Sequence, residues 1–522
     1  MSVYADRPWA RQYRGVPRDC DSLVPTLGGS LEAAAAAAPD GPALVDLTAG
    51  TLTYSELAEQ ARALASALAD RGVERGDRVG VMLQNIAEYP SVQWAIWRLG
   101  AVMVPMNPMW KQREVTYHLS DSGAVGLVHG RELTGVVEAG LAGAQVRFRL
   151  DDEDVRGLVR EHRGRDGRTV EVKPEDAAYL TYTSGTTGEP KGAINTHGNV
   201  AYSASTYARW MDLGPEDVNL GVAPLCHITG LLAGMGASVL ARMPLVLAGR
   251  FDAATALDLL ERHRVTFTVA ALTVYLALLD EPGLAGRELG AFRKAYSGGA
   301  PVSPAVVDRF EAATGAYIHP IYGLTETTSP SHAVPLGARA PVDLDTGALS
   351  CGIPVPSTDC RVVDIESRTE VAPGEVGEIV IRGPMVVPGY WNRPDATRHT
   401  MPDGWLHTGD VGKMDAGGWF YIVDRAKDMI NAAGYKVWPR EVEDVLYEHP
   451  AVREAAVVGV PDSYRGETVK AFVALREPVS PQELIDFCKA RLAAYKYPRQ
   501  VEIVDEVPKT TTGKFLRRSL RG

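Results

Sequence analysis

What most limits the folds open to this chain is a change of texture along it. To about residue 320, helical and strand-like segments alternate. LEAAAAAAPD reads as an alanine-rich helix stopped by proline. TYSELAEQARALASALADRGV sets Leu57, Leu64 and Leu68 at helical spacing, opened by Ser55 with Glu56 behind it. DRVGVMLQN then reads as a short buried strand. Such alternation predicts an α/β fold, because helices must cover the apolar faces of the sheets. From about 350 to 424 the strands crowd together in DCRVVDI, GEIVIRG and GWFYIVD, which predicts a β subdomain.

The last hundred or so residues change again. WPREVEDVLYEHP places Pro439 at a first helical position and Glu441 in the first turn, with Val442, Val445 and Leu446 as the apolar stripe. Two strands, REAAVVGV and VKAFVAL, a helix, PQELIDFCKARLAA, and a strand, QVEIVDEV, follow. A small α+β domain is expected. The predicted domains are 1–424, with the β subdomain at about 350–424, and 428–522.

Charge and cysteine usage narrow the function. The chain has 54 basic and 65 acidic residues, for a net charge of −11, which argues against broad nucleic-acid binding. Cys20, Cys226, Cys351, Cys360 and Cys488 are scattered and form no CxxC pair, so neither a disulfide framework nor a zinc site is expected. A reducing, cytoplasmic setting fits them better. The N-terminal MSVYADRPWARQYRG has no apolar core for a signal peptide. The most apolar run, LLAGMGASVLARMPLVLAG, is broken by Arg242 and Pro244, so no integral membrane segment is expected.

The stretch YTSGTTGEPKG, residues 182–192, is the first candidate for chemistry. Gly185 and Gly188 permit turns that expose backbone N–H groups, and Thr183, Ser184, Thr186 and Thr187 add hydroxyl donors. Lys191 adds positive charge, so the set suits a polyphosphate. It is not a Walker loop: counting from Gly185, Pro190 stands where the second glycine belongs, and Gly192 follows the lysine. Taken alone, the stretch also reads as a flexible Gly/Ser/Thr turn.

Further motifs follow in order: YSGGAPVS (296–303), IYGLTETT (321–328), GWLHTGDVG (404–412), DRAKDMINAAGYKVWPREVE (424–443) and KTTTGKFLRR (509–518). Together with YTSGTTGEPKG they resemble the signatures of the adenylate-forming superfamily, which includes acyl- and aryl-CoA synthetases, firefly luciferases and peptide-synthetase adenylation domains. The resemblance spans nearly the whole chain. It implies that a carboxylate is joined to the α-phosphate of ATP with loss of pyrophosphate, and that the acyl-adenylate then meets a thiol. ATP, Mg²⁺ and coenzyme A are the implied cofactors and co-substrates.

The resemblance also distributes roles. It implies that Ser184, Gly185, Thr186, Thr187, Thr183 and Lys191 hold phosphate, with Thr186 in the catalytic set. Thr325 would contact phosphate, and Glu326 would hold Mg²⁺. Tyr322 would stack on adenine, Gly298, Gly299, Ala300 and Pro301 would line its pocket, and Ile422 would pack near the base. Asp410 matches the ribose-binding aspartate, suited to accept from two adjacent hydroxyls. Arg425 matches an arginine that reaches ribose or phosphate. Lys427 matches the hinge about which a mobile C-terminal domain swings. One face of that domain would bring Lys514 to the developing charge, and the other would bring Gly434 beside the pantetheine arm.

His227, Thr229 and Gly230, with Gly298 and Gly323, are the expected acyl-pocket residues. His227 matches an aromatic or histidine position bordering that pocket in acyl-CoA synthetases. Amino-acid-activating members of the superfamily this chain resembles carry an aspartate near here to pair with the substrate ammonium; PLCHITGLLAG has none, which disfavours an amino acid. The small residues and the apolar run beside them predict a roomy cavity for a medium- or long-chain fatty acid or another bulky hydrophobic acid. An aryl acid is the alternative, and a bulky side chain at Gly230 is expected to favour shorter acids. A carrier-protein acceptor, a luciferase-type oxygenase and a non-catalytic binding protein also stay open. Whether the chain is a homodimer is likewise left open.

Overall fold

The computed structural model describes residues 2–183, 189–425, 428–432, 435–462, 466–510 and 515–520. Among these the strands form four sheets. The chain up to Pro354 builds a six-stranded and a nine-stranded sheet, parallel at their centres and covered by helices. The fold is α/β, as the alternation predicts.

The helix Tyr54–Asp70 is capped by Thr53 rather than by Ser55. The Thr53 hydroxyl accepts from the Glu56 N–H at 3.2 Å, and the Glu56 carboxylate accepts from the Thr53 N–H at 2.8 Å. This reciprocal pair satisfies two end groups at once, which a cap two residues later, at Ser55, would lose. The buried face of the helix, including Leu57, Leu64 and Leu68, packs into the largest core.

The apolar run expected to be broken is bent. Gly230–Gly236 forms a π-helix, Ala237–Ala241 an α-helix, and Leu245–Leu247 a strand of the nine-stranded sheet. Among the described residues no helix is long and apolar enough to cross a membrane. All five cysteines are free.

The strand-rich region closes into a four-stranded antiparallel sheet: Asp359–Val363, Gly377–Arg382, Leu406–Met414 and Phe420–Arg425. An N-terminal segment straps this sheet to the body. Trp9 is fully buried against Phe420, with ring centroids 5.8 Å apart, and the Tyr13 hydroxyl donates to the Pro354 carbonyl at 2.8 Å. Gly418, at φ 85°, lets the turn pass Trp9, since a Cβ there would lie 2.5 Å from the Trp9 backbone.

After Arg425 the next strand, Ile430–Ala432, joins a separate five-stranded sheet with Tyr435–Val437, Val452–Asp462, Gly466–Leu475 and Gln500–Ile503. The helices Pro439–Tyr447 and Pro481–Lys489 pack on it. Polar contacts cross from this unit to the strands before it. The Asp424 carboxylate accepts from the Arg440 N–H at 3.2 Å and from the Arg517 guanidinium at 3.1 Å. Arg517 also pairs with Glu443 at 2.6 Å.

Candidate nucleotide site

The glycine-rich stretch joins two antiparallel strands, Ala177–Thr183 and Lys191–Thr196. A Walker loop instead joins a strand to a helix. Thr183 and Lys191 are register partners, so the hairpin brings both ends of the loop to one point. Ser184, Gly185, Thr186 and Thr187 lie outside the described residues, as do Lys427, Gly434 and Lys514.

Two other motifs sit at the carboxyl ends of neighbouring parallel strands, where α/β sheets commonly place ligands. Lys294–Ser297 runs into Gly298, Gly299, Ala300 and Pro301, and Ile318–Leu324 runs into Thr325 and Glu326. A Cβ on Gly298 would come 2.9 Å from Ile321, so glycine lets this turn lie against the strand carrying Tyr322. Gly323 is more constrained: its Cβ would lie 1.6 Å from the Ser329 carbonyl oxygen. A bulge falls between Tyr322 and Gly323, and Thr328 and Ser329 have φ of 48° and 87°. Such strained non-glycine residues persist where neighbours hold them. Here Asn195 donates to the Thr325 carbonyl at 3.1 Å and to the Thr328 hydroxyl at 3.0 Å, and Tyr207 bonds Ser329 at 2.7 Å.

The segment Tyr322–Glu326 is where the described motifs meet. At one end the Tyr322 hydroxyl donates to Asp410 at 2.7 Å. Burial, and then the Asp410 charge, pushes the Tyr322 phenol well above its ordinary pKa, so it remains a donor. Asp410 is itself 4% exposed and is the register partner of Arg425, while Ile422 on the same strand is 9% exposed. Behind Tyr322, His332 packs at 5.4 Å between it and Phe420. Burial lowers His332 to about 3, so the ring is neutral.

At the other end, Glu326 accepts from the Tyr390 hydroxyl at 2.7 Å. The Lys191 ammonium lies 5.4 Å from the centroid of the Tyr390 ring. Burial, and then the Glu326 charge, raises the Tyr390 phenol and keeps it protonated. Among the described residues no group of three or more His, Cys, Asp or Glu could hold a metal. Mg²⁺ keeps waters, uses one or two carboxylates and is otherwise held by substrate phosphates. Glu326, half-buried and held by the Tyr390 hydroxyl, is a fitting single carboxylate.

His227 ends a separate loop, and Thr229 caps the π-helix that follows. The Thr229 N–H donates to His227 Nδ1 at 3.4 Å. Asn85 ties this loop down by donating to the Gly221 and Ala223 carbonyls at 2.9 and 3.0 Å and accepting from the Leu225 N–H at 2.8 Å. The expectation for Gly230 needs correction. A Cβ there would meet the Pro224 carbonyl oxygen at 2.2 Å, so a bulky side chain would displace backbone rather than shorten a cavity. The same reason accounts for glycine at Gly298 and Gly323. Two cavities, of about 550 and 420 Å³, lie elsewhere: one beside Val24 and Tyr202, the other beside Arg264 and Arg287.

Tyr390, Asn195, Asn85 and His332 were not singled out from the sequence. Each acts through a partner distant along the chain, and none lies in a chemical motif read from the sequence.

The chain also matches known proteins. Residues 31–391 match the AMP-binding enzyme family, and 441–514 match the AMP-binding enzyme C-terminal domain. The long-chain-fatty-acid–CoA ligase of Bacillus subtilis is 35% identical, over 99% of this chain and 98% of that protein. The feruloyl-CoA synthase of an Amycolatopsis species is 37% identical, over 90% and 93%. Among solved structures, the anthranilate CoA ligase AuaEII in complex with anthranoyl-AMP superposes with a TM-score of 0.89 at 28% identity, covering 97% of each chain. The chain belongs to the AMP-binding enzyme family, among its AMP-forming acid–CoA ligases.

Proposed function

We propose that this enzyme activates a medium- or long-chain fatty acid, or another bulky hydrophobic carboxylic acid, and transfers it to coenzyme A. The observation that carries the reading is the convergence on Tyr322–Glu326, with Asp410 at one end and Tyr390 with Lys191 at the other. Asp410 accepts from the ribose hydroxyls, and the Tyr322 ring stacks on adenine beside Gly298–Pro301 and Ile422. Thr183, Thr325, Lys191 and the loop 184–188 hold the phosphates, with Arg425 reaching ribose or phosphate. Mg²⁺ held by Glu326 supplies charge neutralisation at the phosphates when bound.

The substrate carboxylate attacks the α-phosphorus and the bond to pyrophosphate breaks. Both reactants are anions, so donors fixed in advance lower the barrier. Lys514 bridges the carboxylate and the α-phosphate in this step. The C-terminal unit then turns about Lys427, Gly434 leaves room for the pantetheine arm, and the thiol displaces AMP from the acyl carbon. The loop ending at His227, with Thr229 capping the buried apolar turn Gly230–Gly236, supports a hydrophobic acid.

An aryl acid is the second reading, favoured by the feruloyl-CoA synthase likeness. An acid panel tests both: enzyme, ATP and Mg²⁺ with each acid, AMP being followed with and without CoA. CoA-dependent AMP release, greatest for long-chain acids, supports the first reading. A maximum on cinnamate- or benzoate-like acids supports the second, and AMP release only with an acyl carrier protein would overturn the acceptor assignment.

A further inference from the structure

One residue outside every motif read from the sequence occupies the junction between two of them. The backbone around Tyr390 is pinned from both sides. The Val387 N–H donates to the Glu326 carbonyl at 2.9 Å, the Ile194 N–H to the Gly389 carbonyl at 3.0 Å, and the Trp391 N–H to the Gly192 carbonyl at 2.8 Å. Tyr390 also bridges Ala193 in antiparallel fashion. The segment 387–391 is thereby laced onto the strand that starts at Lys191 and onto the turn that carries Glu326. From this frame the Tyr390 side chain, 7% exposed, reaches the Glu326 carboxylate at 2.7 Å and presents its ring to Lys191 at 5.4 Å.

We propose that Tyr390 is a positioning residue that sets Glu326 for the divalent cation and Lys191 for the phosphates of the bound nucleotide. The inference rests on the reading of Glu326 and Lys191 given under Proposed function. A hydrogen bond from a buried phenol fixes the rotamer of a half-buried glutamate and occupies one oxygen, Oε1. That leaves Oε2 to face the cation and lowers the ordering cost of binding. The ring face holds the lysine by cation–π attraction without neutralising it, so its charge remains available to the nucleotide.

The test is equilibrium binding of ATP by calorimetry, with excess Mg²⁺ and with EDTA, on the full chain. The ratio of the two affinities is the gain due to the cation. Wild type is expected to show a clear gain. Y390F keeps the ring and loses the hydrogen bond, so its gain falls roughly tenfold while Mg²⁺-free affinity stays near wild type. Y390L also removes the ring beneath Lys191 and additionally weakens Mg²⁺-free binding. E326Q keeps the Tyr390 packing and loses the same gain, and Y390F adds nothing further in that background; if Y390L fails to fold, the Y390F and E326Q arms, which keep the ring in place, still decide. A Y390F gain equal to wild type overturns the proposal, as does equal loss with and without Mg²⁺, or additive losses for Y390F and E326Q. If wild type binds ATP no better with Mg²⁺ than without, the cation role of Glu326 itself is wrong.

Discussion

At the residue scale, close backbone contacts account for glycines that the sequence offers as pocket walls. Gly230 faces the Pro224 carbonyl oxygen at 2.2 Å from its Cβ position, whereas Gly234 on the same π-helix meets only the Leu225 side chain, at 3.4 Å. Gly230→Ala is therefore expected to destabilise the protein by about 1–3 kcal/mol, the usual range for overpacking. Gly234→Ala should be close to neutral, and paired thermal melts compare the two. Equal melting temperatures for both variants would contradict the contact geometry. His227, on the loop held by Asn85, is the better probe of the acid: His227→Ala should change the ranking of acids while leaving the KM for ATP within about twofold. An unchanged ranking would remove His227 from the acyl site.

At the scale of elements, the helix Pro439–Tyr447 carries an unusual titration. Burial pushes Asp444 up to about 7, against the pull of nearby Arg440. The folded pKa lies above the ordinary value of 3.8, so the folded state holds the extra proton between these limits. The associated stability is complete below about pH 4 and is lost as the pH rises through about 7. Asp444→Asn should melt higher than wild type at pH 8, and the difference should shrink or reverse at pH 5. A constant difference across that range would place the ionised carboxylate in a satisfied environment.

Elements were also where the sequence was most legible. The apolar stripe with Pro439 at its start located that helix, and Val442 and Leu446 are fully buried as the periodicity required. The Thr53 cap was missed because Ser55 stands next to Glu56, whereas the reciprocal box needs the three-residue spacing that runs from Thr53 to Glu56. For the candidate site, Tyr322, Glu326 and Asp410 could be read because local motifs carry them. Tyr390 could not, since its partner Glu326 lies 64 residues away and is reached only through strand pairing.

At the scale of the whole molecule, burial of neutral histidines sets the acid limit. His118, His197 and His319 are lowered to about 4 and His332 to about 3, in each case by desolvation first. Unfolding returns them to an ordinary value of 6.5, so the unfolded chain binds more protons between that value and about 4. Stability is full above about pH 6.5 and falls with acid through this window, steeply because the sites add. The melting temperature should drop sharply from pH 7 to 4.5, and a flat profile would mean that these rings are solvated.

Whole-molecule function depends on distant motifs meeting at one nucleotide. The most direct measurement is acid-dependent exchange of labelled pyrophosphate into ATP without CoA, followed by AMP release once CoA is added. The account predicts exchange with a hydrophobic acid in the absence of CoA, and a rise in AMP on adding CoA. An enzyme that binds MgATP yet gives neither exchange nor AMP across fatty and aryl acids, with or without CoA, would contradict it.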